Sequence, residues 1–116
     1  MSLNIKEKYG LLINNEWVPA SDGAEFAVYN PANGDHLAIC AEATQADVDK
    51  AVEVATEAFK TWKHVSQVDR ADYLLKIADA IDAHKEHLAQ VETYDNGKPI
   101  RETLNVDIPL GADHFR

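Results

Sequence analysis

Residues 36–52 read His36-Leu37-Ala38-Ile39-Cys40-Ala41-Glu42-Ala43-Thr44-Gln45-Ala46-Asp47-Val48-Asp49-Lys50-Ala51-Val52, and the pattern changes inside that stretch. His36 to Ala41 is a short apolar run of strand type. From Thr44 the apolar spacing passes from a period of about 2 to one of about 3.6. Val48, Ala51, Val52, Ala55, Phe59 and Trp62 then recur at helical intervals along one face. Thr44 offers a side-chain oxygen to the unpaired N–H groups of the first turn. Asp47, three residues on, completes a capping box and places negative charge at the positive helix end. A β-rich part therefore gives way to a helical part at residue 44.

Upstream, Leu11-Leu12-Ile13 and Glu16-Trp17-Val18 flank Asn14-Asn15. Asn tolerates positive φ, so the two runs form a tight hairpin. Ser21-Asp22-Gly23 makes the next turn. Phe26-Ala27-Val28-Tyr29 is a strand that stops at Asn30-Pro31, because proline lacks a ladder donor and restricts its predecessor. Asn33-Gly34-Asp35 turns again before His36. Residues 9–43 read as a small antiparallel sheet, and 1–8 as a flexible N-terminus.

Downstream, Ser66 with Asp69 starts a second helix. Its apolar stripe is Leu74, Ile77, Ile81, His84, Leu88 and Val91, and the polar stretch Ala83 to His87 marks a point where it can break in two. Asn96-Gly97, with Pro99 beyond, ends it. Ile100 to Asn105 is a short helical piece. Asp107 caps a last helix with Pro109 in its first turn. That helix runs to Arg116 without a C-cap glycine. The expected fold is mixed α+β, N-terminal antiparallel strands followed by three or four helices, with no internal repeat.

The 116 residues fit one small domain, and 46% hydrophobic with 27% charged residues is ordinary globular composition. Eleven Lys plus Arg against twenty Asp plus Glu give a formal charge of −9. A field of that sign repels phosphate backbones and anionic lipid, so neither nucleic acid nor membrane is an expected partner. Cys40 is the only cysteine. It forms no internal disulfide and builds no cysteine-based metal site by itself, which suits a reducing compartment. No leader-type or membrane-spanning apolar run occurs, and the expected location is cytoplasmic.

The chemistry-bearing residues form no complete catalytic set. Cys40, between Ile39 and Ala41, reads as a small buried hydrophobe rather than an activated nucleophile. His84 and His87 stand three apart, a spacing at which two imidazoles can share a metal. The His-Glu-x-x-His pattern is missing, however, and His84 falls in the apolar stripe. Asp79, Asp82, Glu86 and Glu92 read as a solvated helix face. No glycine-rich phosphate cradle is present. Asp95-Asn96-Gly97 has part of a calcium-loop sequence without the alternating oxygen ligands around it. Trp17 and Trp62 read as packing anchors.

Five blocks occur in order: Ile13-Asn14-Asn15-Glu16-Trp17; Asn30-Pro31-Ala32-Asn33-Gly34; Ala46-Asp47-Val48-Asp49-Lys50-Ala51-Val52 with Ala58-Phe59 and Trp62; Arg70 with Leu74; and Glu92-Thr93-Tyr94-Asp95-Asn96-Gly97-Lys98-Pro99. The ordered set resembles the opening of the NAD(P)-dependent aldehyde dehydrogenase superfamily, from about Tyr9 to Arg116. The run from Asp107-Ile108-Pro109-Leu110 to His114-Phe115-Arg116 is similar to acetaldehyde-type bacterial members. The resemblance implies a longer α/β, Rossmann-like enzyme. In it a cysteine thiolate attacks an aldehyde, hydride passes to NAD or NADP, and a glutamate-activated water releases the acid. Residues 1–116 would be an incomplete N-terminal part of its cofactor-binding domain, and a homo-oligomer is implied. The family's nucleophile, catalytic glutamate and dinucleotide motifs lie beyond these residues, and Cys40 does not match the nucleophile's motif.

By the same resemblance, Asp95 holds a structural monovalent cation together with backbone oxygens near Val28 and Tyr29. The alternative is that Asp95 only orders the helix end. Val106 and Leu110 match positions lining the aldehyde channel. The expectation is therefore an N-terminal fragment of an aldehyde dehydrogenase, inactive alone and without its own cofactor. The alternative is a stand-alone acidic interaction module of the same descent, associating through uncovered apolar helix faces.

Overall fold

The structure, a computed structural model, describes residues 3–116. The chain divides into two compact units. The first, Lys6–Val28 with His36–Val65, carries the strands and the first helix. Its elements are β1 (Lys8–Tyr9), β2 (Leu11–Ile13), β3 (Glu16–Val18), β4 (Glu25–Tyr29, whose last residue falls in the second unit), β5 (His36–Ala41) and α1 (Gln45–Trp62).

The hairpin forms as expected. Leu11 faces Val18 and Ile13 faces Glu16, and Asn14 and Asn15 both take positive φ, 53° and 63°, the requirement of a two-residue turn matched to strand twist. It makes a two-stranded sheet of its own, separate from a three-stranded sheet ordered β1-β5-β4. At the ends of β4 and β5, the Glu42 N–H donates to the Ala24 carbonyl at 2.9 Å, so these strands run antiparallel. β1 adds a pairing the sequence did not announce. It lies parallel to β5, Lys8 opposite Ile39 and Tyr9 opposite Cys40, and the Ile39 N–H donates to the Glu7 carbonyl. The ladder thus begins within the stretch read as a flexible N-terminus. A two-residue strand is too short to show a period. Gly10 then lets the chain pass into β2, since a Cβ there would lie 2.7 Å from the Val18 carbonyl oxygen.

The start of α1 is the most densely bonded part of this unit. The Thr44 hydroxyl accepts from the Asp47 N–H, and the Asp47 carboxylate accepts from the Thr44 N–H at 2.8 Å and the Thr44 hydroxyl at 3.0 Å. Both Asp47 oxygens also accept from the Ser21 N–H, at 3.2 and 3.1 Å. The capping box therefore joins the 20–22 loop to the helix, beside buried Ala20.

The face that α1 covers is offset from the expected stripe. Asp47 is buried and Ala51 and Val54 are half-buried, whereas Val48, Val52 and Phe59 remain exposed. The elements this unit supplies do not reach across the full apolar face. Lys50 with Glu53 and Lys60 with Glu57 form ion pairs along the solvated side.

The second unit is built on Tyr29–Asp35 and Ser66–Arg116. It holds α2 (Gln67–Ala83), α3 (Lys85–Asn96), α4 (Ile100–Glu102), a π-helical turn (Thr103–Asp107) and α5 (Ile108–His114). Ser66 caps α2 by accepting from the Asp69 N–H. The expected break occurs at His84, but His84 is exposed and no part of an apolar stripe. Its Nδ1–H donates to the Ala80 carbonyl at 2.8 Å, closing α2. Gly97 ends α3 at φ 81°, its N–H donating to the Thr93 carbonyl.

The expected cap at Asp107 is not formed. Asp107 has helical dihedrals, φ −64° and ψ −52°, and makes no capping bond. Instead α4 runs through the π turn into α5, with the Ile108 N–H donating to the Thr103 carbonyl. Pro109 has no N–H and crowds the preceding turn of an α-helix, and a widened turn just before it relieves both problems. Thr103 is fully buried. Its hydroxyl bonds the Ile100 carbonyl and pairs with the Thr93 hydroxyl at 2.8 Å, linking the π turn to α3.

Among the described residues the buried hydrophobic ones are all alanines: Ala20, Ala38, Ala78, Ala89 and Ala112. The mixed α+β order of strands followed by helices is as read from the sequence.

The Asp47 carboxyl is held below its ordinary value of 3.8, first by the backbone bond from Thr44 and then by that from Ser21, against desolvation. A lowered folded-state value means that the stabilisation is complete above 3.8 and is lost as pH falls through the folded-state value. Urea midpoints measured from about pH 5 to about pH 2 will therefore fall more steeply for the native chain than for Asp47→Asn. At neutral pH, Thr44→Ala will cost about 1 kcal/mol by the same assay.

Candidate functional site

The second unit brings most of the candidate positions into one stretch, the end of α3 and the helical run that follows. Asp95 stands exposed in the last turn of α3. Among the described residues no hydrogen bond or ion pair engages its carboxylate. The helix end is ordered by its neighbours instead. The Gly97 N–H closes on Thr93, and the Asn96 side chain accepts from the Lys98 N–H at 2.8 Å while donating to Glu92. The bonds that close the helix end thus come from Thr93, Asn96 and Gly97. Tyr29 is exposed at the end of β4 and Val28 is half-buried before it.

Beside Tyr29 the Asn30–Asp35 turn is locked by its own side chains. Buried Asn30 accepts from the Ala32 N–H at 2.9 Å, and its N–H donates to the Asp35 carbonyl at 2.8 Å. Asn33 accepts from the Asp35 N–H and donates to the Asp35 carboxylate, both at 2.9 Å. A Cβ at Gly97 would come 3.1 Å from the Pro31 ring, so the glycine serves both the left-handed cap and a close approach to this turn.

Val106 lies in the π turn and Leu110 in α5, four residues apart, 48% and 53% exposed. On the same run Thr103 and Ala112 are fully buried, so its inner side is small or polar and its outer side presents large apolar groups. An apolar pair of this kind can contribute a wall for an apolar substrate but no acid, base or nucleophile.

An ion pair fixes the π turn, and no local spacing marks it. Lys98 Nζ lies 2.6 Å from Asp107 Oδ2. The Lys98 ammonium is raised above its ordinary value, chiefly by its hydrogen bond to Asp107. The second pairing missed is at Arg116, which reaches Asp82 at 2.6 Å, Asp79 at 3.3 Å and Asp113 at 3.4 Å. Asp79 and Asp82, read as a solvated face, thus have a cation that ties α5 to α2. Apart from Arg116–Asp113, which are three residues apart, these pairings join residues at no helical spacing.

The remaining candidates carry no assembled chemistry. Cys40 is half-buried in β5. His84 and His87 both line a hollow at the junction of α2 and α3. Among the described residues no three His, Cys, Asp or Glu are grouped to hold a metal. No described helix is long and apolar enough to cross a membrane.

Lys98→Met will loosen the π turn without unfolding either unit. Amide exchange at Thr103–Asp107 will accelerate while that of α1 stays unchanged, read by hydrogen-exchange mass spectrometry.

Residues 17–116 match the family described as the aldehyde dehydrogenase family. The chain is 46% identical over 114 residues to an acetaldehyde dehydrogenase of Pseudomonas aeruginosa, covering 98% of this chain and 22% of that protein. Among solved structures, an NAD+ complex of an aldehyde dehydrogenase from Bacillus cereus aligns with a TM-score of 0.92 at 41% identity, over 98% of this chain and 23% of that one. PnpE in complex with nicotinamide adenine dinucleotide aligns with a TM-score of 0.91 at 38% identity, over 93% and 22% of the two chains. The chain therefore spans less than a quarter of the length of each of these three relatives.

Proposed function

Because the chain belongs to the aldehyde dehydrogenase family, we propose that it serves as the N-terminal part of the cofactor-binding domain of an enzyme that oxidises an aldehyde to a carboxylic acid with NAD. The observation that carries this reading is the agreement of sequence and fold over nearly the whole chain with an NAD-bound aldehyde dehydrogenase. When bound, NAD supplies the hydride acceptor. The nucleophilic cysteine and the base belong to parts of the enzyme outside these residues. In this reading Cys40, half-buried in the middle strand of the three-stranded sheet, has a packing role.

Within that enzyme these residues position rather than react. Val106 and Leu110 give the aldehyde channel an apolar wall that excludes water and favours a small apolar substrate. The Lys98–Asp107 pair and the Thr93–Thr103 contact hold the turn that carries Val106. Asp95 is the proposed carboxylate ligand of a monovalent cation, with the peptide oxygen of Tyr29, in the same unit, as a partner. Its free carboxylate supports this assignment, since a hard cation prefers charged and carbonyl oxygens. A cytoplasmic homo-oligomer belongs to the same reading.

The chain incubated with NAD+ and acetaldehyde will form no NADH. Grafted in place of the matching segment of the Pseudomonas aeruginosa enzyme, it will support aldehyde oxidation. A rate from the chain alone that rises in proportion to its concentration overturns the first statement, and a soluble but inactive graft overturns the second. In the active graft, Leu110→Asp will raise KM for acetaldehyde about tenfold with a smaller change in kcat. Asp95→Asn will abolish the rise in melting temperature that Na+ or K+ gives over choline at equal ionic strength.

A further inference from the structure

We infer that Lys98 is a specificity-determining positioning residue. By holding the Thr103–Asp107 π turn open, it keeps Leu110 on the outward side with Val106 and so favours short unbranched aldehydes over longer ones. The inference rests on the channel reading above and adds to it what sets the shape of that wall.

An α-helix advances about 100° per residue, so seven residues make nearly two full turns. Leu110 stands seven residues after Thr103, and an unbroken α-helix would put both on one side. Thr103 is nevertheless fully buried and Leu110 exposed. From Arg101 to Leu110 the exposed positions are Arg101, then Asn105 and Val106, then Leu110, so the outward side returns only after more than four residues. Buried Ala112 lies nine residues after Thr103, where an α-helix would point the opposite way. The widened turn, in which the Ile108 N–H reaches back five residues to the Thr103 carbonyl, accounts for both offsets. It takes an extra residue into one turn and rotates everything after it. Leu110 is thereby carried to the side of Val106 and away from that of Thr103.

Two ties to the end of α3 keep the turn wide, one at each of its ends. Its first residue, Thr103, pairs with the Thr93 hydroxyl at 2.8 Å. Its last residue, Asp107, accepts from Lys98 Nζ at 2.6 Å. Lys98 is itself anchored, since its N–H donates to the Asn96 side chain directly after the Gly97 cap. Asn105 Nδ2 adds a bond across the turn to the Arg101 carbonyl at 3.0 Å. Pro109 excludes a regular α-helix, but a kink or a helix end would satisfy proline equally well. The choice of a widened turn therefore falls to the ties, and such turns concentrate at functional sites. Of the two, the hydroxyl pair involves fully buried Thr103, whereas Lys98 is half-exposed and can be changed without opening the core. With the Lys98 tie lost, the turn tightens part of the time and Leu110 swings toward the Thr103 side. The outward wall then recedes where the chain of a longer aldehyde would lie.

The test is selectivity in the active graft, read as kcat/KM for hexanal relative to acetaldehyde. Lys98→Met will raise this ratio about tenfold, the order of effect that a methylene's worth of apolar contact gives. Asp107→Asn will raise it as much, and the two together no further, because both break one contact. Lys98→Arg will keep the native ratio. In a Leu110→Ala background Lys98→Met will leave the ratio unchanged, since the side chain through which it acts is gone. Equal losses on both aldehydes overturn the inference, because a merely structural tie lowers both alike. So does a full Lys98→Met effect in the Leu110→Ala background. A ratio that Leu110→Ala alone does not move overturns instead the channel reading on which the inference rests, and an inactive graft overturns the family reading, so the three fail separately.

Discussion

A single carboxylate, that of Asp47, holds together two pieces of backbone that would otherwise have unpaired donors. It takes the N–H and hydroxyl of Thr44 at the start of α1 and the N–H of Ser21 in the loop after β3. Helix N-termini must satisfy their first N–H groups somehow, and a local cap would suffice for that. Here the cap also reaches a residue 26 positions earlier in the chain, so the helix start and the strand loop are fixed by the same bonds. Charge-assisted hydrogen bonds are roughly twice as strong as neutral ones, which makes a carboxylate suited to this joint. The position of α1 on β2, and hence which of its sides is covered, follows from that attachment.

In the second unit the corresponding task falls to several smaller contacts around the π turn. Pro109 makes a regular α-helix unfavourable at this point, and the chain responds by widening a turn rather than by stopping. Widening leaves the turn dependent on its neighbours: a buried hydroxyl pair on its inner side and the Lys98–Asp107 ion pair on its outer side. The blocks carrying the family resemblance include several of these residues. Thr93, Gly97 and Lys98 sit together in the motif around Asp95, and the structure gives each a mechanical role.

What could be read from the sequence divides along the range of the interactions. The Asn14-Asn15 turn, the Thr44 capping box, the Ser66 cap, the break near His84 and the Gly97 terminus are all set by residues within a few positions of one another, and all five appear where the spacing put them. The parallel pairing of β1, the Arg116 cluster and the Lys98–Asp107 pair depend on partners distant in the chain, and they left no local signature. Asp107 shows the cost of purely local reading, since Asp two residues ahead of Pro109 is good cap chemistry but a lysine nine residues earlier claims the carboxylate. The α1 stripe was legible as a pattern, yet the pattern says only that a face is apolar. It cannot say whether the cover comes from the same chain. Val106, Leu110 and Asp95 were reachable only by resemblance, because no composition or spacing marks an isolated valine, leucine or aspartate as part of a site.

The confinement of the buried hydrophobic set to alanine bears on how the chain responds to heat. The heat-capacity increment of unfolding grows with the apolar area newly hydrated, and for ordinary domains it is about 1.2–1.5 kcal/mol/K per 100 residues. In this chain Val48, Val52, Phe59, Leu74, Ile77 and Leu110 are already substantially hydrated when folded, so the increment is smaller than its length would give. A smaller increment flattens the stability curve, so warming and cooling shift the balance gradually.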